Sequence, residues 1–116
     1  MSRDSILKQK SIAFGKRIVK LGRYLKREQY EFVLADQIVR SGTSIGANIA
    51  ESIYGCSRKD FILKLQIAQK ESAETLYWLE MIYSGEYISE KMYQSFVADC
   101  NELLAMLSAS IKTARK

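Results

Sequence analysis

The chain has 116 residues, 47% of them apolar and 27% charged, a balance that fits one folded domain over residues 1–116 and excludes a disordered chain. Its formal net charge is +5, and it contains neither histidine nor proline. Without histidine there can be no Ser-His or Cys-His nucleophile pair, no imidazole zinc ligand and no Glu-x-x-His pair of the di-iron bundles.

Proline removes a backbone donor and clashes inside a helix, so its absence suits long uninterrupted helices. No run of alternating apolar and polar β-branched residues reads as a strand. The expected fold is therefore all-α, an antiparallel up-down-up-down four-helix bundle with short loops. Helix 1 is predicted over Ser5–Arg27, with Phe14, Ile18, Leu21 and Leu25 on its inner face. Lys16, Lys20, Arg23 and Arg27 repeat that spacing two residues later, about 200° around the helix, and so form a basic stripe opposite the core. Residues 1–27 hold nine Lys or Arg and one acid, Asp4, whereas residues 28–116 hold nine Lys or Arg and twelve acids. The stripe reads either as a solvated outer face or as a surface that meets phosphates. No aromatic residue interrupts it, and Tyr24 lies only beside it, so stacking recognition of single-stranded bases is not expected.

Helix 2 is predicted over Glu31–Ile53, stopped by Gly55 in the left-handed conformation. Ala35, Ile38, Gly42, Ile45 and Ile49 face inward. A mid-helix glycine costs about 1 kcal/mol against alanine, so Gly42 and Gly46 imply a close approach by another backbone. Beside them runs a line of small or uncharged polar residues, Gln37, Ser41, Ser44 and Asn48, ending in Glu51. It reads as packing against another helix or subunit, with a ligand groove as the alternative. Helix 3 opens with Ser57 and Asp60 in a capping-box arrangement and ends near Gly85. Phe61, Leu65, Ala68, Ser72, Leu76 and Leu79 line one face, with Glu71, Glu74 and Trp78 on a neighbouring line. Helix 4 starts at Ser89 and carries the apolar stripe Tyr93, Val97, Cys100, Leu104, Leu107 and Ile111.

Nothing in this pattern carries catalysis. Glutamates spaced three apart, such as Glu71 and Glu74, are ordinarily salt-bridge partners rather than metal ligands. The glycines of Ser41-Gly42-Thr43-Ser44-Ile45-Gly46 lack the lysine and the preceding strand of a phosphate loop. Cys56 and Cys100 form no C-x-x-C pair and, among apolar or small neighbours, read as reduced core or near-core thiols. The N-terminus has no signal-peptide pattern, and no run approaches the roughly 20 apolar residues of a membrane span. The expectation is a cytoplasmic, non-enzymatic protein without cofactor, metal or membrane partner.

The stretch Gln37-Ile38-Val39-Arg40-Ser41-Gly42-Thr43-Ser44-Ile45-Gly46-Ala47-Asn48-Ile49-Ala50-Glu51-Ser52 resembles that of the four-helix-bundle proteins called 23S rRNA intervening-sequence proteins, or S23-type proteins. The likeness continues through Ser57, Asp60-Phe61, Lys64-Leu65, Ile67-Ala68 and Lys70-Glu71 to Glu74-Thr75, Tyr77 and Trp78-Leu79. It implies a bacterial protein, an up-down bundle and a ring-like homopentamer. Some members are encoded within insertions in 23S rRNA genes. Related bundles accompany reverse transcriptases, where a basic surface is thought to engage nucleic acid and the polymerase. On this resemblance, Arg40, Ser41, Gly42, Ser44, Gly46, Asn48, Glu51, Glu71, Glu74 and Trp78 would serve helix packing or subunit contact. Arg40, Asn48 and Glu51 would pair with Glu71 or Glu74, within or between subunits. RNA or DNA bound at Lys16, Lys20, Arg23 and Arg27 is the leading functional expectation. A protein-interaction scaffold, such as an accessory subunit of a reverse transcriptase, is the alternative.

Overall fold

A computed structural model describes residues 2–116 as four helices: α1 (Arg3–Arg27), α2 (Val33–Ile53), α3 (Arg58–Ser84) and α4 (Glu90–Ala114). Each packs on its chain neighbours, and α1 closes the ring against α4, giving a rod of 45 × 23 × 22 Å. The cross-helix contacts fix an antiparallel course throughout. Arg3 meets Thr113 while Arg17 meets Asp99. Ser41 meets Thr75 while Glu51 meets Lys64, and Tyr83 stacks on Tyr93. This is the up-down-up-down bundle expected from the sequence.

Capping residues set most of the helix starts. Ser2, Ser57 and Ser89 accept backbone hydrogen bonds from Ser5, Asp60 and Met92, at 3.1–3.2 Å. Because Ser2 is the cap, α1 begins at Arg3, two residues before the expected Ser5. α2 starts at Val33, two residues later than expected, because Tyr30 turns the chain with φ 54°. The Glu31 carboxylate then accepts the free Leu34 amide at 2.8 Å from outside the helix.

Neither predicted glycine stop uses the left-handed conformation, since no described glycine has positive φ. α2 ends through Tyr54, and Gly55 serves a close approach instead: a Cβ there would lie 2.8 Å from an Asp60 carboxylate oxygen. At the end of α3 the left-handed residue is Glu86, with φ 66°, one position after Gly85.

The core is a continuous apolar column. Leu7, Phe14, Ile18, Leu21 and Leu25 of α1 meet Ala35, Ile38, Ile45 and Ile49 of α2 and Leu65, Ala68, Leu79 and Ile82 of α3. On α4 the buried line is Phe96, Cys100, Leu103, Leu107 and Ile111. Tyr93, Val97 and Leu104, expected in that line, are only half-buried. The helix is rotated so that Phe96 packs edge-on to Phe14, 6.5 Å between centroids, while the Arg17 guanidinium covers its other side at 4.1 Å. On α3, Thr75 is buried where Leu76 was expected, because its hydroxyl hydrogen-bonds Ser41 across the α2–α3 contact at 2.9 Å. Every buried side-chain polar atom among the described residues has a hydrogen-bond partner.

Candidate nucleic-acid interface

The nine cations of helix α1 differ in their partners. Three of them pair with acids on neighbouring helices, Lys10 with Glu102 at 2.9 Å, Arg17 with Asp99 at 2.5 Å and Lys26 with Asp36 at 2.7 Å, while half-buried Lys8 pairs with none among the described residues. Arg3 donates to the Ala109 carbonyl and the Thr113 hydroxyl of α4. Lys16, Lys20, Arg23 and Arg27 are exposed and have no acidic partner among the described residues. Four like charges on adjacent turns repel mildly and gain nothing from the fold. Their field is directed at solvent, where a phosphate backbone would satisfy it.

The remaining candidate residues are occupied within the chain. Arg40 bridges Glu71, at 3.5 Å, and Glu74 on α3. Trp78 Nε1 donates to the same Glu74 carboxylate at 2.9 Å. Asn48 and Glu51 do not join this network as the sequence suggested. The antiparallel register sets Glu51 opposite Lys64, at 3.3 Å, and Asn48 donates to the Ser44 carbonyl of its own helix at 2.8 Å. The Ser44 hydroxyl in turn donates to the Arg40 carbonyl at 2.6 Å. Ser41 is fully buried against Thr75. Gly42 and Gly46 admit α1 of the same chain: a Cβ would lie 2.7 Å from an Ile18 methyl at Gly42 and 3.3 Å from the Ser11 hydroxyl at Gly46. Helix 2's small residues therefore bring α1 and α3 close to α2 inside one chain.

Two cationic features were not visible along the chain, because each is assembled from distant segments. Between α1 and α4 lies an open cleft of about 440 Å³. Its walls include Lys20 and Tyr24 from α1 and Lys91 and Met92 from α4, and no carboxylate lines it. At the opposite end, Arg58 and Lys59 of α3 and Arg115 after α4 line an open groove together with Ile62 and Leu63. Among the described residues no group of three or more His, Cys, Asp or Glu could hold a metal ion, and no helix is long and apolar enough to cross a membrane.

Residues 3–109 match the family described as 23S rRNA-intervening sequence protein. The chain belongs to that family. The match spans all of α1, α2 and α3 and most of α4, so it covers both the stripe and the Arg40–Glu71–Glu74 network. The 23S rRNA-intervening sequence fold is also seen in a crystal structure of a protein of unknown function, from the S23 ribosomal protein family of Bacteroides thetaiotaomicron. That chain is 50% identical, with a TM-score of 0.95 over 96% of this chain and 99% of its own. No curated protein matches.

Proposed function

We propose that this 23S rRNA-intervening sequence protein is a non-enzymatic bundle that assembles with copies of itself, as a homopentamer by family resemblance, and binds RNA or DNA along α1. The observation that carries the reading is the division of cations on that helix. Lys10, Arg17 and Lys26 are neutralised by acids, while Lys16, Lys20, Arg23 and Arg27 are left facing solvent together. A surface that served solubility alone would gain by mixing signs, since adjacent like charges cost stability and an i,i+4 acid would recover it. Phosphates meeting the stripe release condensed counterions, which makes affinity strong at low salt and steeply salt-dependent. Replacing the four residues with glutamine tests this. Binding of a labelled nucleic acid should weaken and its salt dependence flatten, and an unchanged affinity with an unchanged slope would refute the proposal.

The second reading is a scaffold that docks a protein, such as the polymerase that related bundles accompany. It is favoured by the exposed apolar tip between α1 and α2, where Tyr30, Phe32 and Val33 are 77%, 55% and 70% exposed. A protein partner that stays bound after nuclease treatment, and is lost when Phe32 and Val33 are made polar, would select this reading.

A further inference from the structure

The cleft between α1 and α4 adds to the stripe what α1 alone lacks. Lys20 belongs to both features, forming one rim of the cleft and the middle of the stripe. Lys91 stands on the opposite wall, brought there by the antiparallel pairing of the C-terminal half of α1 with the first turns of α4. The lining is overwhelmingly apolar, with Leu21 and Phe96 at the floor and Tyr24 and Met92 above them. Tyr24 is held in place, since it packs on the core and its hydroxyl accepts a hydrogen bond from Gln29 at 2.8 Å. The third cation at the cleft, Arg17, is neutralised by Asp99 and spread over the Phe96 ring, so it serves the floor rather than the rim.

Phosphates alone would need the two lysines and have no use for an aromatic, apolar recess between them. A duplex keeps its base faces stacked and could offer this site only its backbone. An unpaired nucleotide offers both parts, a flat apolar face and a flanking phosphate on either side.

We propose that the α1–α4 cleft is a nucleobase subsite. An unpaired base of a single strand enters the recess against Tyr24, and its flanking phosphates lie on Lys20 and Lys91. The inference rests on the reading of the α1 stripe as a nucleic-acid surface, and narrows its ligand to single-stranded nucleic acid.

The test compares an oligothymidylate with an abasic oligomer of equal length, which carries the same phosphates and no bases. Fluorescence anisotropy with the full chain should give about tenfold tighter binding for the strand with bases. Tyr24→Ala should abolish that difference and leave abasic binding unchanged, while Tyr24→Phe should preserve it. Lys91→Gln should weaken the thymidylate more than a duplex. It cannot act by unfolding α4, because a lysine in the first helical turn opposes the helix dipole and its removal relieves that turn. Equal affinity for the two strands, with both lost in the four-glutamine stripe variant, would overturn the subsite and leave the stripe standing. No binding of either strand at low salt would overturn both.

Discussion

Burial between α3 and α4, reinforced by Asp99, sets the chemistry of Cys100. Burial, with the Asp99 charge beside it, pushes the thiol up to about 12 from 9.0, and it donates to the Ser72 carbonyl at 3.4 Å. Cys56, expected in or near the core, is instead exposed, because it falls in the α2–α3 loop and not on a helix face. A thiol reagent at about pH 8 should therefore label Cys56 alone in the native protein and both cysteines once it is denatured, as mass spectrometry of the adducts would show. The folded state keeps a proton that the unfolded thiol releases above about 9, so this contribution to stability is full below that pH and is lost as the pH rises toward about 12. The Cys100→Ala variant, though less stable overall, should lose less stability on alkaline titration than the parent chain. Glycines give a second contrast at this scale. A Cβ at Gly15 meets nothing within 4 Å, so Gly15→Ala should raise stability by up to about 1 kcal/mol through helix propensity. At Gly42 the Cβ would be driven into Ile18, and overpacking of about 1–3 kcal/mol should exceed the propensity gain. Urea titration of both variants separates these outcomes. The sequence announced that Gly42 and Gly46 needed room, but not who took it. Spacing shows which face a residue occupies, and only the bundle's order of helices shows what lies against that face.

At the scale of the helix, α1 was the most legible element. Its apolar and basic lines share one period, and a straight helix separates them automatically, so all four core positions are buried and all four stripe positions exposed. Neutralising the stripe should reduce the slope of log affinity against log salt by about 3 to 4, following roughly 0.7 to 0.9 per phosphate contact. A change in affinity without a change in slope would point to packing rather than charge. On α4 the expected face was partly displaced toward Tyr93, Val97 and Leu104. Apolar residues surround much of that helix, and periodicity alone cannot rank two adjacent apolar lines. The choice fell to Phe96, which Phe14 and Arg17 enclose from α1. The serine caps at Ser57 and Ser89 marked their helix starts and Gly85 marked the end of α3, whereas the Ser2 cap of α1 was missed. The start of α2 was misplaced because Tyr30 adopts positive φ, and a tyrosine does not signal a left-handed turn.

Over the whole molecule, the fold could be read from composition and period, whereas much of the candidate interface could not. The stripe is local in sequence, but the α1–α4 cleft joins Lys20 to Lys91, and the far cationic groove joins Arg58 to Arg115. Such sites exist only once the pairing of helices is known. The salt bridges of α2 and α3 find both partners within one chain, so they form without a second subunit. Light scattering at micromolar concentration should give a mass several times 13.3 kDa, and a monomer would refute the assembly proposal.

The antiparallel seam between α1 and α4 also has a mechanical meaning. Arg3 lies against Thr113 and Asp4 against Ser110, so force applied through the first and last helices enters at one end of the rod. It would peel the seam like a zipper, releasing those contacts first, then Lys10–Glu102, then Arg17–Asp99, with each step loading only the next. A bundle pulled from opposite ends must instead shear all its contacts together. This chain is therefore arranged to yield gradually under tension and to open first at the end farthest from its basic stripe.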